Sequence, residues 1–248
     1  MAADAASSYH SLSDIQFKEG LTLIEELSPQ EKDKVLDLGC GTGRLTQVLA
    51  ERVGPEGLVV GIDPDEERIK VAIEEKGHGR SNLIFVVADD QSFPEDQYDM
   101  VFCSNVIHWI KEKERVFERV YKNLRPGGRF GFIAMHNFKE HDDLATEVIK
   151  LGSSQEVLDK LKSSFYYEPL EYYKKLAADY NFEIRHEVIN EASYQFAGID
   201  EFIEFLYGTL QGQFDKSSKN LKEIRKRYRP GDIINWPSPY LTLILTKP

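Results

Sequence analysis

The nine residues Val35–Gly43, V-L-D-L-G-C-G-T-G, constrain the fold of this chain more than any other stretch. An apolar run ends at three glycines, and the residues that follow place Leu45, Val48, Leu49 and Val53 at helical spacing. This order predicts a buried strand, a glycine turn and a helix, the corner at which doubly wound α/β folds bind nucleotides. Glycine loses much conformational entropy on folding, so three of them indicate positive φ angles or a close approach to a ligand.

The spacing of the glycines distinguishes between classes of ligand. A dinucleotide-binding turn has the pattern G-x-G-x-x-G, and its third glycine packs the helix against the strand. Counted from Gly39, that third position is Arg44. The glycines of this chain are instead Gly39, Gly41 and Gly43, and Asp37 precedes them. The pattern argues against a nicotinamide-dependent oxidoreductase, which we keep as an alternative together with a tight turn that binds no ligand.

A carboxylate ends the second predicted strand. Gly57–Asp63 (G-L-V-V-G-I-D) has the pattern of a buried strand, and Asp63 lies 20 residues after Gly43. An acidic residue at about this distance binds ribose hydroxyls in nucleotide-binding α/β folds. The alternative role for Asp63 is the N-cap of the helix that follows Pro64, although Asp65 can serve as that cap instead. We favour the ribose role.

Two further carboxylates follow the third predicted strand. Leu83–Ala88 (L-I-F-V-V-A) is apolar, and Asp89 and Asp90 come directly after it. Ligands of open α/β sheets bind outside the carboxyl ends of the strands, where this pair and Asp63 are expected to lie. The alternative is that the two aspartates are solvated turn residues.

Strands and helices alternate five times in the first part of the chain. Tyr98–Cys103 is the fourth predicted strand, Lys111–Leu124 a helix with a buried apolar face, and Arg129–Met135 the fifth strand. Regular alternation without internal repeats predicts an α/β fold with a doubly wound parallel sheet. Phe182–Phe196 and Pro239–Thr246 have the patterns of two later strands.

Five short motifs together resemble the class I S-adenosylmethionine (SAM)-dependent methyltransferase superfamily. They are D-L-G-C-G-T-G, G-I-D, A-D-D, Y-D-M-V-F-C-S-N and L-R-P-G-G, and they span residues 34 to 135, about 40% of the chain. The I-H-W-I after the fourth strand, Gln16 on an N-terminal helix and a late helical cap resemble one small-molecule group within it. That group contains the juvenile hormone acid and trans-aconitate methyltransferases, which esterify carboxylic acids.

The resemblance implies a seven-stranded, mostly parallel Rossmann-like sheet with an antiparallel last strand and a helical cap. We expect residues 1–33 to form a helical segment over the active site and residues 34–136 to form the SAM-binding core. Residues 137–181 are then a helical cap segment. Residues 182–248 complete the sheet and carry a helical insertion at 197–237.

The resemblance also implies which residues bind the cofactor, SAM. The glycine turn passes under its methionine end, Asp63 binds its ribose, and an acidic residue at 89 or 90 accepts a hydrogen bond from the adenine amino group. The expected cofactor-binding residues are Asp37, Gly39, Cys40, Gly41, Gly43, Asp63, Pro64, Asp89, Asp90 and Asn105. The sequence has no clear carboxylate cluster for a metal ion, and none is expected.

Three residues are candidates for the reaction itself. A carboxylate acceptor is already nucleophilic, so it needs neutral hydrogen-bond donors that orient it rather than a base. The resemblance assigns this role to the Gln16 amide and the Trp109 indole. His108 is the rival candidate, as a base for an amine, phenol or thiol acceptor. The alternatives are core packing for Trp109, a solvent-facing position for Gln16 and a structural role for His108.

Composition limits the acceptor and the compartment. The net charge of −11 opposes contact with phosphate backbones, so a nucleic acid is not expected as the acceptor. No apolar run approaches the ~18 residues of a membrane span, no signal peptide is recognisable, and Cys40 and Cys103 have the pattern of free thiols. We expect a cytoplasmic enzyme that acts on a small molecule, as a monomer or homodimer. A non-catalytic protein of this fold is the remaining alternative.

Overall fold

The protein forms two compact units in the computed structural model, which describes residues 2–77, 79–136, 143–162, 164–210, 212–229 and 231–248. The first, which we call the sheet unit, comprises Phe17–Ala134, Glu168–Ile189 and Leu241–Pro248. The second, the accessory unit, comprises the described parts of 1–16, 135–167 and 190–240. The four-segment division expected from the sequence stays a prediction, and the first six residues of its cap, 137–142, lie outside the described residues.

Seven strands form one sheet. They are β1 Lys34–Leu38, β2 Leu58–Asp63, β3 Leu83–Val87, β4 Tyr98–Ser104, β5 Leu124–Met135, β6 Glu183–Asn190 and β9 Tyr240–Thr246. The strands β7 Ser193–Phe196 and β8 Ile234–Pro237 form a separate two-stranded sheet. The order across the large sheet is β3-β2-β1-β4-β5-β9-β6. The strand order reverses between β1 and β4, which is where ligands bind in doubly wound sheets.

The register confirms the predicted sheet. β1 to β5 pair in parallel, so that Val35 of β1 lies opposite Val59 of β2 and Met100 of β4. Lys247, directly after β9, exchanges backbone hydrogen bonds with the start of β5: its N–H donates to Gly128 at 2.9 Å, and the N–H of Gly127 donates to its carbonyl at 2.7 Å. The sheet is therefore seven-stranded and mostly parallel, with one antiparallel strand.

Helices connect most of the successive strands. The α-helices of the described chain are α1 Ala2–Leu27, α2 Arg44–Val53, α3 Glu66–Ala72, α4 Lys113–Asn123, α5 Asp143–Gly152, α6 Gln155–Lys162, α7 Leu170–Asp179, α8 Ile199–Thr209 and α9 Leu221–Arg227. A 3₁₀ turn, Ile107–Trp109, follows β4. The apolar spacing that predicted α2 and α4 marks their buried faces, with Leu49 and Val53 inward on α2 and Val116 and Val120 inward on α4.

The prediction of one long strand over Phe182–Phe196 is wrong. The structure divides this range into β6, which lies at the edge of the large sheet, and β7, which pairs antiparallel with β8. A tight turn separates them, in which the N–H of Ala192 donates to the carbonyl of Asn190 at 3.0 Å. The alternation of side chains continues through this turn, so the sequence pattern did not indicate the break.

The accessory unit has a core of its own, rich in aromatic side chains such as Phe196, Phe202 and Trp236. Its basic helix α9 buries Leu221 and Ile224. Three cations of this helix form ion pairs: Arg225 with Asp200, Lys226 with Glu223 and Arg227 with Glu147. These ion pairs partly neutralise the positive charge of α9. In the described chain, no helix has both the length and the apolar character to cross a membrane.

Candidate active site

The turn between β1 and α2 requires its three glycines. Gly39, Gly41 and Gly43 have φ angles of +81°, +55° and +79°, in the region that side chains with a Cβ rarely adopt. The turn is held to the neighbouring strand because the N–H groups of Gly39 and Cys40 both donate to the carbonyl of Ile62, at 2.9 and 2.8 Å. The expected positive φ angles are confirmed.

Close packing adds to the backbone requirement at two of these positions. A Cβ on Gly39 would lie 2.2 Å from Cγ2 of Val106, in the segment after β4. A Cβ on Gly43 would lie 2.6 Å from the ring of Phe85 on β3. The absent side chains let the neighbouring strands approach the turn, which brings β1, β3 and β4 together at one place.

Asp63 ends β2 and supports the glycine turn. Its carboxylate accepts one hydrogen bond from the N–H of Gly41 and one from the N–H of Asp65, both at 3.0 Å, and the residue is 5% exposed. The N-cap of α3 is Asp65, which accepts hydrogen bonds from the N–H groups of Glu67 and Arg68. The cap role considered for Asp63 is therefore wrong, and its carboxylate faces the glycine turn.

Asp37, on β1, is buried beneath the turn with an exposed fraction of 2%. Its carboxylate accepts a hydrogen bond from the hydroxyl of Thr46 at 2.7 Å. Burial raises the pKa of Asp37 to about 7; the Thr46 bond opposes this rise and the charge of Asp63 adds to it. Asp37 therefore changes its charge near neutral pH. Burial also raises the pKa of the Cys40 thiol, which is protonated at neutral pH and is not a nucleophile.

The adjacent acids Asp89 and Asp90 have different surroundings. Asp89 closes the turn after β3 by accepting hydrogen bonds from the hydroxyl of Ser92 at 2.6 Å and the N–H of Gln91 at 3.0 Å, and these bonds lower its pKa. Asp90 is half-buried, and burial, followed by the charge of Asp89, raises its pKa. Asp89 thus has the structural role of a turn residue, whereas Asp90 suits contact with a ligand.

These elements border a cavity of about 350 Å³ in the sheet unit. Its lining combines apolar side chains with carboxylates. The lining residues are Leu38, Gly39, Pro64, Ala88, Asp89, Asp90, Gln91, Val106, Trp109, Ile110, Lys111 and Glu112. The cavity lies where the carboxyl ends of β1 and β3 meet the segment after β4, the expected place for a ligand in this architecture.

Asn105 begins the segment after β4 in a left-handed conformation, with a φ angle of +59°. Its side-chain amide donates to Glu19 on α1 at 2.9 Å, and its N–H donates to the carbonyl of Ile133 at 3.2 Å. Sequence reasoning missed Glu19, an acid that is only 7% exposed. The signal was present, because Glu19 stands four residues before Leu23 and so lies on the apolar face of α1.

The candidate catalytic residues differ in exposure. Trp109 is half-buried and lines the cavity. His108 is 2% exposed, and the lining described above does not include it. Burial lowers the pKa of His108 to about 3, and the positive charge of Lys113 acts in the same direction. Gln16 lies on α1 and is half-buried. The roles of all three residues stay predictions.

The sequence model of the family described as methyltransferase domain matches residues 29–206. The chain belongs to this methyltransferase family. It is a class I SAM-dependent methyltransferase, as the motifs predicted, and SAM is its cofactor. The oxidoreductase and the non-catalytic protein considered from the sequence are therefore excluded.

Individual relatives agree with this assignment. Trans-aconitate 2-methyltransferase from Rhizobium etli is 27% identical over 205 residues, which are 81% of this chain and 78% of that protein. Juvenile hormone acid O-methyltransferase from Bombyx mori is 30% identical over 131 residues, 50% of this chain and 47% of that protein. The solved structure of phosphoethanolamine N-methyltransferase 2 from Haemonchus contortus, in complex with S-adenosylhomocysteine, has the same fold, with a TM-score of 0.60 and 18% identity over 93% of this chain and 53% of that one.

Proposed function

We propose that this methyltransferase transfers the methyl group of SAM to a small carboxylic acid and forms a methyl ester. Of the relatives described above, two have names that refer to an acid: trans-aconitate 2-methyltransferase and juvenile hormone acid O-methyltransferase. The observation that carries the proposal is Trp109, an indole N–H donor on the wall of the cavity at the carboxyl edge of the sheet. A neutral donor orients an anionic acceptor without the strong pairing that a cation would impose.

The cavity suits the nucleoside part of SAM. Its volume of about 350 Å³ is at the small end of the range for ligand sites, and apolar walls such as Val106 and Ile110 match a flat base. We assign Asp63 to the ribose hydroxyls and Asp90 to the adenine amino group, with Asp89 closing the turn that presents Asp90. The glycine turn, Asp37, Cys40, Pro64 and Asn105 complete the proposed cofactor site.

When bound, SAM supplies a methyl group on a sulfonium centre and a neutral leaving group. The remaining task of the protein is to place the acceptor oxygen in line with that methyl group and to exclude water. We assign the orientation of the acceptor carboxylate to the indole N–H of Trp109 and the side-chain amide of Gln16. A carboxylate acceptor has no proton to lose, so this reaction needs no base.

An amine, phenol or thiol acceptor is the second candidate, and it would use His108 as a base. The structure disfavours this role, because a base works best when its pKa is near the working pH and burial lowers the pKa of His108 to about 3. His108 is also buried to an exposed fraction of 2%. A pH–rate profile tests the point: an inflection that disappears in His108→Gln would support the base.

Transfer of a radiolabelled methyl group from SAM into a mixed panel of small carboxylic acids, amines, phenols and thiols tests the proposal. The products are then treated with mild alkali, which hydrolyses esters. We expect label that is released as volatile methanol. Label that resists alkali would contradict the ester proposal and would favour the second candidate, in which His108 acts as a base. A Trp109→Phe enzyme serves as the control, since it keeps the aromatic wall and lacks the N–H donor.

A further inference from the structure

Lys113 occupies a position that two general rules disfavour. It is 0% exposed, whereas lysine side chains lie mostly at the protein surface. It is also the first residue of α4, and a positive charge at a helix N-terminus opposes the helix dipole. Side chains that break local rules in a folded protein are often found at functional sites.

The Lys113 ammonium bonds to the wall of the cavity. Its Nζ donates to the carbonyl of Ile110 at 2.9 Å. Ile110 is the extended residue between the 3₁₀ turn and the approach to α4, with φ and ψ angles of −90° and 125°. The consecutive residues 109–112 all line the cavity. The Lys113 side chain on α4 thus forms a hydrogen bond to the backbone of a segment that lines the cavity.

Other charged groups face Lys113 from two directions. Glu114 lies next to it on α4, and Glu168 lies just before α7; both favour its charged form. Glu114 is itself fixed, since it accepts a hydrogen bond from the hydroxyl of Tyr172 on α7 at 2.7 Å. The positive charge of Lys113 also lowers the pKa of the buried His108 imidazole. Despite the two glutamates, burial lowers the pKa of Lys113 to about 8.

We propose that Lys113 is a positioning residue for the SAM site, in which its buried ammonium holds the Ile110 carbonyl and so fixes the wall formed by residues 109–112. The inference rests on the proposed placement of SAM in this cavity and is independent of the acceptor. The inference explains why a lysine occupies this buried position although burying its charge is unfavourable for folding. An apolar side chain of similar length would fill the space but leave the Ile110 carbonyl without its donor.

Two consequences separate positioning from a merely structural role. First, Lys113→Met fills the same space but leaves the Ile110 carbonyl without its donor. A positioning role predicts that the protein still folds while the wall formed by residues 109–112 loses its order. Second, deprotonation of Lys113 weakens its hydrogen bond, so the SAM affinity of the wild-type enzyme should fall as the pH rises through about 8.

The test compares the wild-type chain of 248 residues with its Lys113→Met and Lys113→Gln variants. Lys122→Met is the control, because Lys122 is an exposed lysine on the same helix. SAM affinity is measured by calorimetry between pH 7 and pH 9.5, and amide hydrogen exchange of residues 109–112 is followed without ligand. At pH 7 we expect Lys113→Met to weaken SAM binding about tenfold and to speed that exchange about tenfold. Its affinity should lack the alkaline fall that the wild type and Lys122→Met share.

Three results would overturn the proposal. One is unchanged SAM affinity in Lys113→Met at pH 7. Another is an alkaline fall that persists in both Lys113 variants. The third is loss of folding in both variants, which would make Lys113 a structural residue. Because none of these measurements uses a methyl acceptor, a panel in which no carboxylic acid is methylated would leave this inference intact and reject only the ester proposal.

Discussion

Gly39→Ala tests whether the glycine turn is as tightly packed as the structure requires. The φ angle of +81° costs an L side chain about 1–2 kcal/mol. The new Cβ would lie 2.2 and 2.7 Å from the two Cγ atoms of Val106 and 2.9 Å from its Cβ. Valine is stiff about χ1, so it cannot rotate away, and overpacking adds about 1–3 kcal/mol. The expected loss in the free energy of unfolding is about 2–5 kcal/mol.

Gly54→Ala provides the matched control. Gly54 has a φ angle of +71°, but among the described residues no atom beyond its chain neighbours lies within 4 Å of an added Cβ. Only a conformational cost applies there, of about 1–3 kcal/mol, because a φ angle of +71° with a ψ angle of 179° is a combination that glycine almost alone adopts. Val106→Ala, combined with Gly39→Ala, removes the two methyl groups that clash and should recover part of the loss.

Urea unfolding followed by circular dichroism measures these free energies, and calorimetry measures SAM binding. We expect Gly39→Ala to weaken SAM binding more than about tenfold, because Gly39 and Val106 both line the cavity. Gly54→Ala should bind SAM as the wild type does. The packing argument fails if Gly39→Ala costs no more stability than Gly54→Ala, or if the Gly39 and Val106 substitutions are simply additive.

Four further substitutions test the site. Asp37→Asn should be more stable than the wild type at pH 8 and should lose this advantage towards pH 5. The reason is that the raised pKa of the Asp37 carboxyl makes the wild-type fold less stable as the pH rises from about 4 to 7. Urea unfolding at each pH measures the difference. Trp109→Phe should lower kcat/KM about 10-fold to 100-fold with a nearly unchanged Kd for SAM, since one hydrogen bond to a charged acceptor is lost; an equal loss of both would assign Trp109 to the cofactor. Asp90→Asn should weaken SAM binding in calorimetry with little change in Tm, whereas Asp89→Ala should lower Tm by breaking its turn; the reverse pattern would exchange their roles.

The five parallel strands could be predicted from local sequence patterns, whereas the seven-stranded order with its antiparallel strand was implied by the family resemblance. A glycine turn after an apolar run needs positive φ angles, and Gly39 and Gly43 have them. The break between β6 and β7 was not predictable, since pairing with β8 is decided by packing about 40 residues further along the chain. The roles of Asp89 and Asp90 are also not distinguishable by residue type, and only the bonds of Asp89 to its turn separate them.

Lys113 shows a second limit of sequence reasoning. The run K-E-K-E-R at the start of α4 consists of charged residues, which are typical of a solvated helix face. Only helical spacing distinguishes Lys113, which stands three residues before Val116 and four before Phe117 and so lies on the buried face of the helix. The structure buries Lys113 completely. The buried ammonium is accommodated by a hydrogen bond to the Ile110 carbonyl, three residues earlier, and by the negative charge of Glu168, just before α7.

Burial shifts the pKa values of Asp37 and Lys113 towards each other. In the proposed cofactor site the negative charge of Asp37 favours a cationic cofactor; because the pKa of Asp37 is raised to about 7, this charge is lost below that pH. The pKa of Lys113 is lowered to about 8, so the bond that holds Ile110 weakens above that pH. SAM affinity should therefore decrease both when Asp37 is protonated on the acidic side and when Lys113 is deprotonated on the alkaline side. In calorimetric titrations Asp37→Asn should flatten only the acidic side of this profile and Lys113→Met only the alkaline side. A profile in which either substitution flattens both sides would mean that the two groups act as one coupled network, and the separate roles argued for them would be wrong.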